Sequence, residues 1–247
     1  MATLRDEFET SGTWLFRYRS FLPILLLFLF LGAFRNFEYP FQSEKLNQIW
    51  ELICLAISFI GLGIRIFTLG SVPKGTSGRN TKRIKAYYLN TTGMYSIVRH
   101  PLYLGNFIIG LGISFYFSLW WFTLIFILIF WLYYERIIFT EEDFLRKNYG
   151  QTYLQWANQA PTFIPKFKNW KSPALPFTFK TALKGEYGTF MAIIATFTFL
   201  AILGDYFAEG KIEFDLMWVI IFSFGLITYI IVRIIHKKTT LLKVGGR

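Results

Sequence analysis

The stretch Thr92-Gly93-Met94-Tyr95-Ser96-Ile97-Val98-Arg99-His100-Pro101-Leu102-Tyr103-Leu104-Gly105 places a guanidinium, an imidazole and a phenol within about one turn of a helix start. Pro101 marks that start: its fixed φ suits the first turn, and its missing N–H is not needed there. A helix N-terminus carries unpaired N–H groups and partial positive charge. Arg99, His100 and Tyr103 can therefore hold an anion or the polar edge of a cofactor. The same residues also suit a plain anchor at the membrane interface, with basic groups beside a belt tyrosine.

A second cluster is acidic. Glu135-Arg136 is followed by Glu141-Glu142-Asp143 and then by Tyr149-Gly150-Gln151-Thr152-Tyr153. On a continuing helix Glu135 and Glu142 share a face, whereas Arg136 and Glu141 do not. Salt bridges to Arg146 and Lys147 are the simplest use of these carboxylates. A third cluster, Val72–Arg83, mixes Lys74, Gly75, Thr76, Ser77, Gly78, Arg79, Lys82 and Arg83. Glycine N–H groups, hydroxyls and cations of this kind converge on phosphate, although the spacing is not that of a Walker loop. The alternative for this loop is contact with lipid headgroups.

Several chemistries are disfavoured. Cys54 is the one cysteine and lies in an apolar run, so neither an internal disulfide nor a thiolate metal cluster is available. His100 and His236 are far apart, no Ser-His-Asp or Cys-His arrangement exists, and no metal site is expected. No G-x-G-x-x-G follows a strand-like segment, which leaves a Rossmann-type domain unsupported.

The elements that must position these residues are helices in a membrane. Hydrophobic residues make up 54% of the chain and aromatic ones 21%, more apolar surface than a soluble domain needs. The apolar runs are Phe21–Phe34, Ile49–Leu69, Leu102–Leu119, Trp121–Phe139, Tyr187–Phe207 and Phe214–Ile235. They predict an all-α, polytopic integral membrane protein with about six transmembrane helices. The run after Arg17 and Arg19 is followed by Arg35-Asn36 rather than a small-residue cleavage site, so it reads as a retained helix.

The net charge of +11 sits in the connections between these runs. Gly70–Arg99, the stretch between the fourth and fifth runs, and the C-terminal tail are basic; Asp205–Asp215 is acidic. The bias predicts both termini on the cytoplasmic side, together with the two long connections Gly70–His100 and Glu135–Glu186. It also explains the basic charge without a nucleic-acid partner. The expected organisation is one transmembrane domain over 1–247, with a motif-bearing core at about 70–166 and two further helices within 187–235.

Arg99-His100-Pro101-x-Tyr103-x-Gly105, Glu141-Glu142-x-x-Leu145, Tyr149-Gly150-x-x-Tyr153 and Pro161-x-x-Ile164-Pro165 together resemble the isoprenylcysteine carboxyl methyltransferase and phospholipid methyltransferase superfamily. The resemblance implies a membrane enzyme that uses S-adenosylmethionine. By position it implies cofactor binding by Leu89, Asn90, Tyr95, His100, Pro101, Leu102, Tyr103, Glu141 and Glu142. At the reacting end the candidates are Arg99, Arg136 and Glu142, with Lys74, Arg79, Lys82 and Arg136 for the acceptor. Members place an arginine about one turn before the acidic pair; Ile137 stands there in this chain, with Arg136 one residue earlier.

Within the superfamily, Val72–Lys82 and Leu89–Gly93 look most like bacterial enzymes that O-methylate the 1-phosphate of lipid A. That likeness implies the bacterial inner membrane, with the site facing the cytoplasm and a lipid as the partner. A prenylated cysteine carboxylate is the alternative acceptor and phosphatidylethanolamine a further one. The architecture also resembles membrane sterol reductases, which use a nicotinamide cofactor, and a non-catalytic scaffold completes the set. An anionic oxygen needs no strong base, only cationic placement, and the basic loops disfavour a cationic acceptor.

Overall fold

The computed structural model describes residues 3–18, 32–34, 37, 39, 43–73, 75–76 and 87–246. The regular elements among them are helices: α1 (Leu4–Tyr18), α2 (Glu44–Gly70), α3 (Met94–Ile97), α4 (Pro101–Phe115), α5 (Trp120–Ala157), α6 (Phe179–Glu209) and α7 (Leu216–Lys238), with a 3-10 turn at Phe167–Asn169. Helices α2, α5, α6 and α7 are each long and apolar enough to cross a bilayer. The protein is a polytopic membrane protein with helices as its spanning elements.

Two runs behave differently from expectation. The run Leu102–Leu119 forms the 15-residue α4, about 22 Å long and short of the ~30 Å hydrocarbon core. It ends at Phe115, and the chain turns through Ser118 at φ 53° before α5 begins. The run Trp121–Phe139 instead continues far beyond its apolar part. α5 has 38 residues, roughly 57 Å of helix, so its second half emerges from the membrane. Gly150, at φ 51°, breaks it near the end. Of the run Phe21–Phe34, all but 32–34 lies outside the described residues.

Small residues set the central crossing. Gly61 of α2 and Gly105 of α4 face each other; a Cβ on Gly105 would come 2.5 Å from Arg65 Cγ and 2.9 Å from the Gly61 carbonyl oxygen. This is close backbone packing of the kind membrane helices use. α6 runs antiparallel to α2. At one end the Thr178 N–H donates to the Gly70 carbonyl at 2.8 Å. At the other end a cleft of about 210 Å³ gathers Glu44 and Glu51 of α2 with Asp205, Glu209, Glu213 and Asp215.

α7 returns alongside α6, with Tyr187 against Tyr229 and His236. The core between the helices holds Cys54, Leu62, Tyr116, Phe117, Phe197 and Trp218. Exposed Leu124, Leu128 and Leu132 on α5 and Ile220, Phe224 and Ile227 on α7 present apolar surface to lipid.

α1 lies along the emerging half of α5. Its Gly12 fits against Thr140 and the Arg136 carbonyl. The Tyr133 hydroxyl donates to the Leu15 carbonyl at 3.2 Å, and Arg5 Nη2 meets Asp143 Oδ1 at 2.6 Å. α1 and the C-terminal end of α7 therefore lie at the same end of the bundle as His100, opposite the acidic cleft.

Candidate active site

The site is built where α4 begins and α5 emerges. Gly93 adopts φ 59°, a left-handed conformation that glycine takes without strain. This lets the chain enter α3 and deliver His100 to the start of α4. The turn is strapped from outside: Gly93 N–H donates to the Lys171 carbonyl, Arg99 N–H to Pro161 and Lys166 N–H to Ile97, at 2.8–2.9 Å. Trp156 Nε1 donates to the Tyr95 carbonyl at 2.9 Å. The proline-rich segment after α5 is therefore a brace for the site.

His100 is 8% exposed and stands between two carboxylates. Its Nε2 lies 3.0 Å from Glu142 Oε1 and its Nδ1 3.5 Å from Glu141 Oε2. Tyr103, one turn on, stacks on the imidazole at 5.6 Å and donates its hydroxyl to Glu141 Oε1 at 2.6 Å. Arg99 Nη1 meets Glu142 Oε2 at 3.0 Å, Nη2 donates to Thr162, and Tyr153 is 3.5 Å from Nη1. Burial opposes the imidazolium, but the two carboxylates overcome it and raise the His100 pKa above its ordinary 6.5.

The three adjacent acids thus divide their labour. Glu141 and Glu142 face the start of α4, where the helix dipole favours anions. Asp143 is turned to α1, where it is buried between Arg5 and Lys147, the latter at 2.5 Å.

Other expected site residues fall nearby. Leu89 packs with Tyr95, Tyr149, Tyr153 and Trp156 in one apolar cluster. Asn90 closes a local turn, its Oδ1 accepting from Thr92 N and Oγ1 at 3.1 Å. Pro101 is buried at the first position of α4, with Leu102 half-buried beside it. Arg136 is placed elsewhere: its guanidinium lies 5.3 Å over the Phe8 ring of α1 and reaches back to the Leu132 carbonyl. Its neighbour Ile137 is fully buried against Phe16 and Tyr133. Lys74, Arg79 and Lys82 lie outside the described residues.

Sequence reading missed a polar chain beside this cluster. Arg65 of α2 makes a bidentate pair with Glu186 of α6, at 2.9 Å from Nε and 2.8 Å from Nη2. Its Nη1 donates to Asn106 Oδ1 at 2.6 Å, and Asn106 Nδ2 donates to Tyr134 at 3.0 Å. Tyr134 in turn packs on Tyr103 at 4.6 Å. The signal was an arginine inside an apolar run, which is costly unless paired.

Residues 52–152 match the phospholipid methyltransferase family model. The protein-S-isoprenylcysteine O-methyltransferase of Schizosaccharomyces pombe is 35% identical over 129 residues, 51% of this chain and 55% of that protein. A probable enzyme of the same name from Oryza sativa subsp. indica is 28% identical over 124 residues, 49% of this chain and 65% of that one. A nickel-cobalt-cadmium resistance protein, NccN, from Alcaligenes xylosoxydans xylosoxydans is 27% identical over 123 residues, 50% of this chain and 57% of its own. The chain covers less than two thirds of each of these relatives. No solved structure matches it.

The fold defines a polytopic helical membrane protein, and the matched segment carries the site residues from His100 to Glu142. The chain's central segment, residues 52–152, is similar to the phospholipid methyltransferase family, and about half of the chain is similar to enzymes named protein-S-isoprenylcysteine O-methyltransferase.

Proposed function

We propose that the protein transfers a methyl group from S-adenosylmethionine to an anionic oxygen on a lipid-anchored acceptor, with an isoprenylcysteine carboxylate as the acceptor of choice. The observation that carries the reading is the convergence of Glu141 and Glu142 on Arg99, His100 and Tyr103. The donor fits this set. Arg99 Nε is buried with no hydrogen-bond partner among the described residues, a donor suited to an amino-acid carboxylate. Glu141 and Glu142 suit a cationic amino group or ribose hydroxyls, and the Leu89–Tyr95–Tyr149 surface suits an adenine ring.

When bound, S-adenosylmethionine supplies an activated methyl on a sulfonium. The protein's own residues bind, orient and exclude water. His100, fixed between two carboxylates, holds the acidic pair in place, and Tyr103 sets the rotamer of Glu141. A carboxylate acceptor is already ionised near neutral pH, so positioning rather than proton removal is the main demand.

The isoprenylcysteine acceptor takes precedence over lipid A 1-phosphate because the relatives carry the former name, and most of Val72–Lys82 lies outside the described residues. We further place the His100 end on the cytoplasmic side, supported by the lysines and arginines of the connections at that end and by the cytosolic supply of the donor. An inner-membrane setting belongs with the lipid A reading.

The test is incubation of purified protein in nanodiscs with methyl-labelled donor and either a farnesylated cysteine or lipid A. Base-labile label on the farnesylcysteine is expected. Label on lipid A alone would move the acceptor to the phosphate; label on neither, with no donor binding, would end the methyltransferase reading.

A further inference from the structure

We infer that Arg65 is the cation that receives the anionic group of the acceptor, and that Glu186 is its positioning residue. This rests on the proposed methyl transfer. The two arginines that the motif itself offers are already engaged. Arg136 is turned to Phe8 on α1. Arg99 is engaged by Glu142, Thr162 and Tyr153. Arg65 lies within the apolar helix α2, where it faces Asn106 of α4 and Glu186 of α6.

A guanidinium has five N–H groups in a planar fork. Arg65 commits three of them: Nε and one on Nη2 to Glu186, and one on Nη1 to Asn106. Each terminal nitrogen keeps one further N–H, and two such parallel donors match a carboxylate or phosphate edge. The head is also joined to the site: Nη1 donates to Asn106, Asn106 donates to Tyr134, and Tyr134 packs on Tyr103 at 4.6 Å. Arg65 precedes the end of α2 at Gly70 by five residues, about 7.5 Å along the axis, a depth suited to an anionic group at the top of a lipid-anchored chain.

Glu186 gives α6 a part in the site. It is 2% exposed, comes from α6, and lies outside the matched segment 52–152. Its bidentate grip fixes the plane of the Arg65 fork, and Gly105 leaves the space in which the arginine stem passes α4. The pair is neutral as a unit, so the acceptor's own charge is not repelled.

The experiment separates anchoring from architecture with the charge-free double variant R65Q/E186Q. Removing both partners leaves no unpaired buried charge and spares the fold far better than either single change. Two quantities are measured in nanodiscs for wild type, R65K and the double variant. One is the affinity for S-adenosylmethionine. The other is the ratio of affinities for S-farnesylcysteine and for its neutral carboxamide.

Wild type is expected to prefer the carboxylate about tenfold or more, as a charge-assisted contact allows. The double variant should lose that preference while its donor affinity stays within about threefold and its unfolding midpoint stays near wild type, and R65K should retain part of it. A double variant that keeps the carboxylate preference, or a wild type that shows none while binding donor, would overturn the assignment and leave methyl transfer standing. Absence of donor binding by wild type would sink the methyltransferase reading; a carboxylate preference lost only in the double variant would even then identify Arg65 as the anion anchor.

Discussion

The Tyr103 hydroxyl donates to Glu141 Oε1 at 2.6 Å, joining the first turn of α4 to the part of α5 that has already left the membrane. The bond spans 38 residues of sequence and fixes one carboxylate of the acidic pair. Glu141→Gln keeps the shape and removes the charge. Donor affinity should fall about 10- to 100-fold, the range of a lost charge-assisted contact. Tyr103→Phe removes only the tether and should cost less, about three- to tenfold. Calorimetric titration of both variants with S-adenosylmethionine checks the order; equal losses would mean the tether, not the charge, matters.

The site's pH response follows from His100. Its folded pKa is raised above the ordinary 6.5, so the imidazolium stabilises the native state. That contribution is full below about pH 6.5 and is lost as pH rises through the raised value. His100→Gln cannot titrate. The difference in unfolding midpoint between wild type and this variant should be largest on the acid side of neutrality and should shrink toward alkaline pH. A difference that grew with pH would show that burial, not the carboxylates, governs this histidine.

Much of this arrangement was legible in the sequence, for physical reasons that differ by element. Hydropathy located α2, α6 and α7 because a bilayer imposes long apolar runs. The break around Ser118–Trp120 between the third and fourth runs is also legible as a tight turn and is where the chain turns, but hydropathy overstated the length of α4, which stops at Phe115. The convergence of His100 on Glu141 and Glu142 was accessible only through the resemblance, because periodicity cannot show that α5 folds back onto the start of α4. Arg136 illustrates the limit of nearness in sequence: five residues before Glu141 is about 140° round the helix, and that face belongs to α1. Arg65 was hidden because its partner lies 121 residues away.

Helix α1 should act as a clamp on that outer face. A side chain at Gly12 would collide with Thr140 and with the Arg136 carbonyl, which is backbone and cannot yield. Gly12→Leu should therefore lift α1, break the Arg5–Asp143 and Lys147–Glu9 pairs, and expose the segment to protease. Limited proteolysis should cut the variant within α1 several times faster than wild type. Since these ion pairs are solvent-exposed on the cation side, Arg5→Ala alone should produce only a small change.

Gly105 is the residue on which the central crossing depends, and its substitution tests the packing and the proposed anchor together. A Cβ there would come 2.5 Å from Arg65 Cγ and 2.9 Å from the Gly61 carbonyl oxygen. The stem of Arg65 has some freedom to move, but its head is held by Glu186 and Asn106, and the Gly61 backbone has none. Gly105→Ala should destabilise the bundle by about 1–3 kcal/mol, as overpacking does in tight interiors, and lower the unfolding midpoint in detergent. It should also weaken the carboxylate preference assigned to Arg65 more than donor affinity, because the added methyl displaces the arginine stem first. Gly63→Ala, on the same helix as Gly61 but with open space around its Cβ, is the matched control and should leave both readouts near wild type. Equal midpoints for the two variants would show that α2 and α4 do not approach this closely.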